Sequence, residues 1–174
     1  MKKLEDYIVS VPDFPKPGIL FRDVTGILDE PEALKLTLDS LNETIKNTEF
    51  DLVAGLEARG FLFGVPMAAH YNKAFVPVRK KGKLPRATVS QSYDLEYGQA
   101  TIEIHKDSIK AGQKVIIVDD LLATGGTAEA AIKLVESLGG IVAKILFVIE
   151  LDDLGGRERL KGYNVESLTH FPGH

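Results

Sequence analysis

Two adjacent carboxylates, Asp119 and Asp120, stand just ahead of a small, hydroxyl-bearing glycine segment, Ala123-Thr124-Gly125-Gly126-Thr127. The two groups of residues offer opposite chemistries. A glycine turn lets several backbone N–H groups converge on one point, and a helix that begins there adds a partial positive charge. Thr124 and Thr127 add hydroxyl donors. Together they form a cradle for a phosphate. Ionised aspartates only accept hydrogen bonds, so Asp119 and Asp120 do not hold that phosphate. They suit a partner that offers hydroxyls, such as a ribose, or a metal ion. The segment is no P-loop, because no lysine follows Gly126, and its glycine spacing does not fit the dinucleotide fingerprint. A Gly-Gly pair after a strand is usually a plain turn. Here the carboxylates, the hydroxyls and a following helical pattern stand in register, which favours a ribose-phosphate ligand.

Other segments carry complementary chemistry. Glu57-Ala58-Arg59-Gly60-Phe61 follows an apolar run and opens a helical one. An arginine at a helix start can bind an anion through its planar fork and the neighbouring N–H groups, or simply pair with Glu57. Arg79-Lys80-Lys81-Gly82-Lys83 adds positive charge directly after a strand in a chain that is otherwise acidic, which suits a polyanion as well as a solvated face. Phe14-Pro15-Lys16-Pro17-Gly18-Ile19-Leu20-Phe21-Arg22-Asp23 is rigid and apolar. Phe21 could stack on a planar base while backbone groups of Leu20 and Arg22 read its edge, although an isolated Phe more often plugs a core. Glu96 lies between Leu95 and Tyr97. Folded over a reacting base with water excluded, it could manage a ring proton; left open, it is only solvated.

These residues must be carried by strand ends and helix starts. Val115 to Val118 predicts a buried strand that ends where the aspartates begin, and Ala128 to Val135 the helix after the turn, closed by Gly139-Gly140. Leu52 to Leu56, Phe75 to Val78 and Ile141 to Ile149 predict further strands. Gly60 to His70 reads as a helix, with Pro66 tolerable only near its first turns. Pro31 suits a first helical position, and Leu34, Leu38, Leu41 and Ile45 mark one face of the helix it opens. Leu4, Tyr7 and Ile8 suggest a short helix. The prolines and glycine of Val11 to Gly18 predict an irregular loop, and Lys80 to Arg86 a basic one. Ser90 to Glu96 and Ala100 to His105 alternate as a hairpin or flap, with Ile102 and Ile104 on one face and Glu103 and His105 on the other. Strands alternating with helices imply a mainly parallel α/β sheet, whose ligands sit at the carboxyl ends of its strands.

The bulk numbers fit one soluble domain. The chain has 174 residues, 44% of them hydrophobic and 26% charged, enough for a substantial core. No apolar run approaches a membrane span, and Met1 to Asp6 lacks the apolar core of a signal peptide. With no cysteine for a disulfide framework or thiolate metal site, these features predict a cytoplasmic protein. A net charge of −4 argues against sequence-independent nucleic-acid binding.

The acid pair and glycine turn resemble the diphosphate-sugar (PRPP) motif of the type I phosphoribosyltransferases. The loops around Phe21, Arg59, Lys80 and Glu96, together with Ile149-Glu150-Leu151-Asp152-Asp153-Leu154-Gly155-Gly156-Arg157, resemble the adenine-using branch of that family, in order and over nearly the whole chain. The resemblance implies one phosphoribosyltransferase domain over 1–174. Its mainly parallel sheet would carry a hairpin flap at about 80–105 and a base-binding hood from about 11–25 plus 150–160. It implies a purine-salvage reaction of PRPP with adenine, giving AMP and pyrophosphate, in a homodimer. Ala123, Thr124, Gly125, Gly126 and Thr127 would hold the 5′-phosphate, and Asp119 and Asp120 the ribose hydroxyls. Ala58, Arg59, Lys80 and Lys83 would bind pyrophosphate, with a non-proline cis peptide near Glu57-Ala58. Phe21 and Leu151 would sandwich adenine, Leu20 and Arg22 would read its edge, and Glu96 would be the catalytic group on the N7 side, with Tyr97 beside it. Mg²⁺ would be held mainly by PRPP, since the chain shows no cage of carboxylates. Arg86 departs from the small or uncharged residue common there, which touches loop behaviour more than chemistry. Two alternatives remain: a PRPP-sensing regulator, disfavoured by the acidic charge and the lack of room for a winged helix, and a sister enzyme for another base.

Overall fold

The computed structural model describes residues 2–173. Short 3-10 segments lie at Leu4–Tyr7, Val24–Ile27 and Asp152–Leu154, and after the first of them β1 (Val9–Pro12) and β2 (Leu20–Asp23) pair antiparallel as a separate ribbon. Then follow α1 (Pro31–Ile45), β3 (Leu52–Leu56), α2 (Arg59–His70), β4 (Ala74–Lys80), β5 (Thr88–Asp94), β6 (Gln99–His105) and β7 (Lys114–Leu122). α3 (Gly126–Ser137), β8 (Ile141–Leu151), α4 (Gly156–Arg159) and β9 (Val165–Phe171) complete the order. The main sheet runs β5-β6-β4-β3-β7-β8-β9, parallel from β4 to β9, with the β5–β6 hairpin antiparallel at one edge.

Side-chain alternation explains the three layers. Along β3 and β7, Leu52, Ala54, Leu56, Val115 and Ile117 face one core cluster, into which α3 sends Ala131, Leu134 and Val135. Val53, Ile116 and Val118 face the opposite cluster, filled by Leu41 and Ile45 of α1 and Phe63 and Met67 of α2. A strand buried on both faces reads as a continuous apolar run, as β3 does. From β3 the chain steps to β4 on one side, and β7 leads to β8 on the other. The order therefore reverses between β3 and β7, where α/β sheets open their ligand crevice. The loops leaving these two strands, residues 57–58 and 123–125, run directly into the starts of α2 and α3.

Several expectations shift in detail. β7 does not end at Val118 but runs through both aspartates to Leu122, because β8 continues to pair with it as far as Leu122. Pro66 lies inside α2, not in its first turns. Its missing N–H leaves the Leu62 carbonyl without a helical partner, and Leu62 is exposed, so water can serve it. On α1 the buried line is Ala33, Thr37, Leu41 and Ile45, with Leu34 and Leu38 half-buried beside it. Val11 and Pro12 belong to β1 rather than to the irregular loop. Glu103 and His105, on the face opposite Ile102 and Ile104, are buried as well.

Candidate active site

The acid pair sits at the carboxyl end of β7. Asp120 is buried and its Oδ2 accepts from Arg59 Nε, while Asp119 Oδ1 accepts from the Asp120 N–H at 2.8 Å. Burial and the neighbouring Asp120 charge push the Asp119 carboxyl well above the ordinary aspartate range. The bond to Asp120 raises the Arg59 pKa further, so that guanidinium stays charged. Gly60 explains how α2 comes so close. A methyl group there would lie 2.8 Å from the Val118 carbonyl oxygen, so only glycine lets the helix start rest on β7.

Among the described residues, Arg59 borders four cavities, one of them a cleft of about 380 Å³ beside Val11, Phe14, Phe21, Asp23 and Thr25; the other three hold the glycine turn, the acid pair and the segment carrying Phe21. The first, about 220 Å³, is lined by Asp119 to Ala128, Phe147 and Arg59. Its floor is the glycine turn: Gly125 adopts the left-handed conformation (φ +87°), and α3 begins at Gly126 with its first N–H groups free of helical partners. The second, about 350 Å³, is lined by Glu57, Ala58, Arg59, Lys80, Tyr93, Asp119, Asp120 and Thr127. The peptide between Glu57 and Ala58 is cis. The third, about 280 Å³ and mostly apolar, is bordered by Leu20, Phe21, Arg22, Leu121, Leu151 and Leu154 among others, and again by Arg59.

The third cavity has a braced frame. Phe14 packs edge-on against Phe21 with ring centres 5.1 Å apart. The Arg22 side chain is drawn aside, donating to Ser10 Oγ at 2.5 Å and lying over the Phe171 ring at 4.6 Å. Leu151 follows Glu150, a buried carboxylate gripped by Arg157 at 2.7 and 3.0 Å and by Ser167 at 2.7 Å. Burial works to raise the Glu150 pKa, and those bonds outweigh it, holding the carboxyl below its ordinary range.

The structure thus gathers the glycine turn, both aspartates, Ala58, Arg59 and Lys80 around two adjoining cavities, and Leu20, Phe21, Arg22 and Leu151 around the third. It does not bring Lys83 or Glu96 to them. Both are exposed and border none of the three, and Tyr97 is 82% exposed. Tyr93 and Leu121 line cavities without having been singled out. Alternation did not place Leu121, since it puts residue 121 with Val115 and Ile117, whereas the side chain packs with Val118 in the opposite cluster. Tyr93 gave no local signal, because its place depends on how the β5–β6 hairpin lies against α3.

A model of the phosphoribosyl transferase domain matches residues 24–171. The chain belongs to the phosphoribosyltransferase family, and its mostly parallel sheet flanked by helices has the type I fold. Adenine phosphoribosyltransferase of Lachnoclostridium phytofermentans is 59% identical over 173 residues, covering 99% of each chain. That of Escherichia coli O157:H7 is 56% identical over 176 residues, covering 100% of this chain and 96% of the relative. The crystal structure of adenine phosphoribosyltransferase from Thermoanaerobacter pseudethanolicus superposes with a TM-score of 0.94 at 52% identity, covering 97% of this chain and 100% of that one. The Saccharomyces cerevisiae enzyme, complexed with adenine and an imino-altritol bisphosphate, gives 0.89 at 43% identity, covering 95% and 96%. Within the family, then, the chain stands among the adenine phosphoribosyltransferases.

Proposed function

We propose that the chain transfers the 5-phosphoribosyl group from PRPP to adenine, giving AMP and pyrophosphate. The carrying observation is that Arg59 stands at the border of three cavities of different lining at once. One is a helix-start cradle, one is lined by Arg59 and Lys80, and one is apolar and braced by aromatic contacts, with the acid pair between the first two. A sugar with a phosphate at one end and a pyrophosphate at the other, meeting a planar base, matches that arrangement.

On this reading the turn Ala123–Thr127 takes the 5′-phosphate through backbone N–H groups and threonine hydroxyls. Asp119 and Asp120 accept from the ribose 2′- and 3′-hydroxyls. Ala58, Arg59 and Lys80, with Lys83 arriving from the turn beyond β4, hold the pyrophosphate. Phe21 and Leu151 sandwich adenine, and Leu20 and Arg22 offer backbone groups to its edge. Adenine N9 attacks the anomeric carbon, the bond to the pyrophosphate oxygen breaks, and the N9 proton is lost. Arg59 and the lysines stabilise the charge that develops on the leaving oxygens. Glu96, on the exposed hairpin tip, reaches the N7 side when the flap folds over the base, and its carboxyl group donates a hydrogen bond to N7 that helps N9 release its proton to water.

The donor set fits a magnesium ion carried in by PRPP. Asp120 is engaged by Arg59 and Asp119 by the Asp120 N–H, so substrate oxygens supply most of the ligands. Bound there, Mg²⁺ would neutralise charge on the leaving pyrophosphate. The cluster Glu150, Asp152 and His170, whose ligand atoms lie within 4.8 Å of one another, is a poor rival, because Arg157 already neutralises Glu150. The assembly is a homodimer; the exposed apolar side chains Leu62 and Val65 on α2 support a partner surface. The setting is the cytoplasm, since a substrate as highly charged as PRPP does not cross a membrane unaided. Among the described residues no helix is long and apolar enough to span one.

The test is a purine panel with PRPP and Mg²⁺, following pyrophosphate release. Release with adenine and not with guanine, hypoxanthine or xanthine is expected. Equal release with another purine refutes the base assignment, and none with any refutes the transferase reading.

A further inference from the structure

A buried carboxylate outside the three site cavities holds the basic turn in place. Glu103 lies on β6 and is 7% exposed. Its Oε1 accepts from the Gly82 N–H at 2.8 Å, and its Oε2 accepts from Ser90 Oγ at 2.6 Å and Thr88 Oγ1 at 3.1 Å. One side chain therefore ties the turn between Lys81 and Lys83 to strand β5, whose far end carries Tyr93 into the Lys80 cavity and leads on to Glu96. Nearby bonds complete the clamp. The Lys81 N–H donates to Thr101 O at 3.0 Å, and on the opposite side Glu57 Oε1 accepts from the Lys80 N–H at 2.9 Å and from Arg79 Nε at 3.1 Å. The bonds from Ser90, Gly82 and Thr88 keep the Glu103 carboxyl below the ordinary glutamate range, with Ser90 the largest cause.

We propose that Glu103 is a positioning residue for pyrophosphate: it fixes the Lys80–Lys83 turn in register with the flap hairpin, so that the lysines meet the leaving group. The inference rests on the reading of the Lys80 cavity as the pyrophosphate site. Its sign separates it from plain electrostatics. Removing a negative charge close to a polyanion site should by itself tighten pyrophosphate binding. Releasing the turn should weaken it.

The experiment is the reverse reaction, AMP with pyrophosphate, under steady-state conditions with melting curves alongside. Glu103→Ala and Glu103→Asp both break the bond to Gly82, the aspartate because it is one methylene too short. Each should raise KM for pyrophosphate about tenfold, inside the ~10²-fold that a misplaced positioning group can cost. KM for AMP should stay within about twofold. Glu103→Gln keeps an acceptor for Gly82 and a donor for the hydroxyls, which can reverse their roles, so it should remain within about threefold of wild type. Should Glu103→Ala fail to fold, the Asp variant decides. Arg59→Ala and Lys80→Ala test the underlying site. If they raise KM for pyrophosphate while Glu103→Ala and Glu103→Asp leave it unchanged or lower it, the positioning role alone falls. If KM for AMP and pyrophosphate rise together with a lower melting temperature, Glu103 is only a fold element. If Arg59→Ala and Lys80→Ala change nothing, the site reading fails and takes the proposal with it.

Discussion

Gly60 is the second residue of α2, and its replacement by alanine tests how closely that helix must approach the acid pair. The added methyl group would lie 2.8 Å from the Val118 carbonyl oxygen and 3.3 Å from Asp119 Cα, both backbone atoms of β7. No side-chain rotation relieves such a contact. Ordinary van der Waals separation begins at 3.4 Å, so the helix start must retreat by about 0.6 Å, the difference between 3.4 and 2.8. Overpacking of this kind costs about 1–3 kcal/mol. Alanine returns about 1 kcal/mol of helix propensity, leaving a net loss of about 0–2 kcal/mol, or a melting temperature lowered by roughly 0–8 °C. The kinetic effect should be larger than the stability effect, because the residue next to the clash is Arg59. At about 10²-fold per ångström of misplacement, a shift near half an ångström raises KM for PRPP about tenfold. The walls of the apolar cavity on β2 and β8 are not pushed, so KM for adenine should move far less. The assays are thermal melting and steady-state kinetics with each substrate varied in turn. A PRPP KM within about twofold of wild type, with unchanged or raised melting, would refute the close packing of α2 on β7 as the reason for glycine.

Three other outcomes follow from the site. Asp119→Asn with Asp120→Asn should abolish productive PRPP binding, since amides set donors against hydroxyls that need acceptors; a near-normal PRPP KM counts against the ribose assignment. Glu96→Leu should lower kcat more than Glu96→Gln, within the ~10²–10⁴-fold range of acid–base assistance, and a Leu variant that keeps more than about a third of wild-type kcat removes Glu96 from the chemistry. Glu150 is held below its reference value of 4.5 by Arg157 and Ser167 against its burial, so its pairing stabilises the fold above that pH and is lost as pH falls through the lower folded value. The melting difference between wild type and Arg157→Ala should therefore shrink on acidification through that window, and a difference that stays constant down to about pH 3 contradicts the pairing.

The parallel sheet was legible because its strands are buried on both faces. Leu52 to Leu56 and Val115 to Val118 are uninterrupted apolar runs, and nothing but a sheet core fits runs that short. The end of β7 was not legible from its own residues. Aspartates look like a strand terminus in isolation, yet pairing with β8 continues through Leu122. Pro66 shows the same limit. Local propensity disfavours a proline within a helix, but tertiary packing of Phe63 and Met67 holds α2 together across it. β9 gave little pattern at all: Val165 to Leu168 are only partly buried, at the edge of the sheet.

The same division runs through the site. Groups that act through backbone geometry, such as the glycine turn and the helix start at Arg59, are written in contiguous residues and could be read directly. Groups that act by bracing other groups could not, because their partners lie far along the chain. Glu57, Glu103 and Glu150 are each one glutamate among many, and Glu96 is another. Alternation on β6 assigns Glu103 to the face opposite Ile104, but it cannot say what covers that face. What covers it is the turn at Gly82 and the hydroxyls of Thr88 and Ser90, which the antiparallel pairing of β4, β6 and β5 brings within reach. Burial of a carboxylate is tolerable only when such donors arrive together, since an unpaired buried charge costs several kcal/mol. Glu96, at the hairpin tip where no strand is paired alongside, meets none of these donors and stays in water. One residue type thus serves as a fixed brace at the base of the flap and as a free group at its tip, and sheet pairing alone decides which.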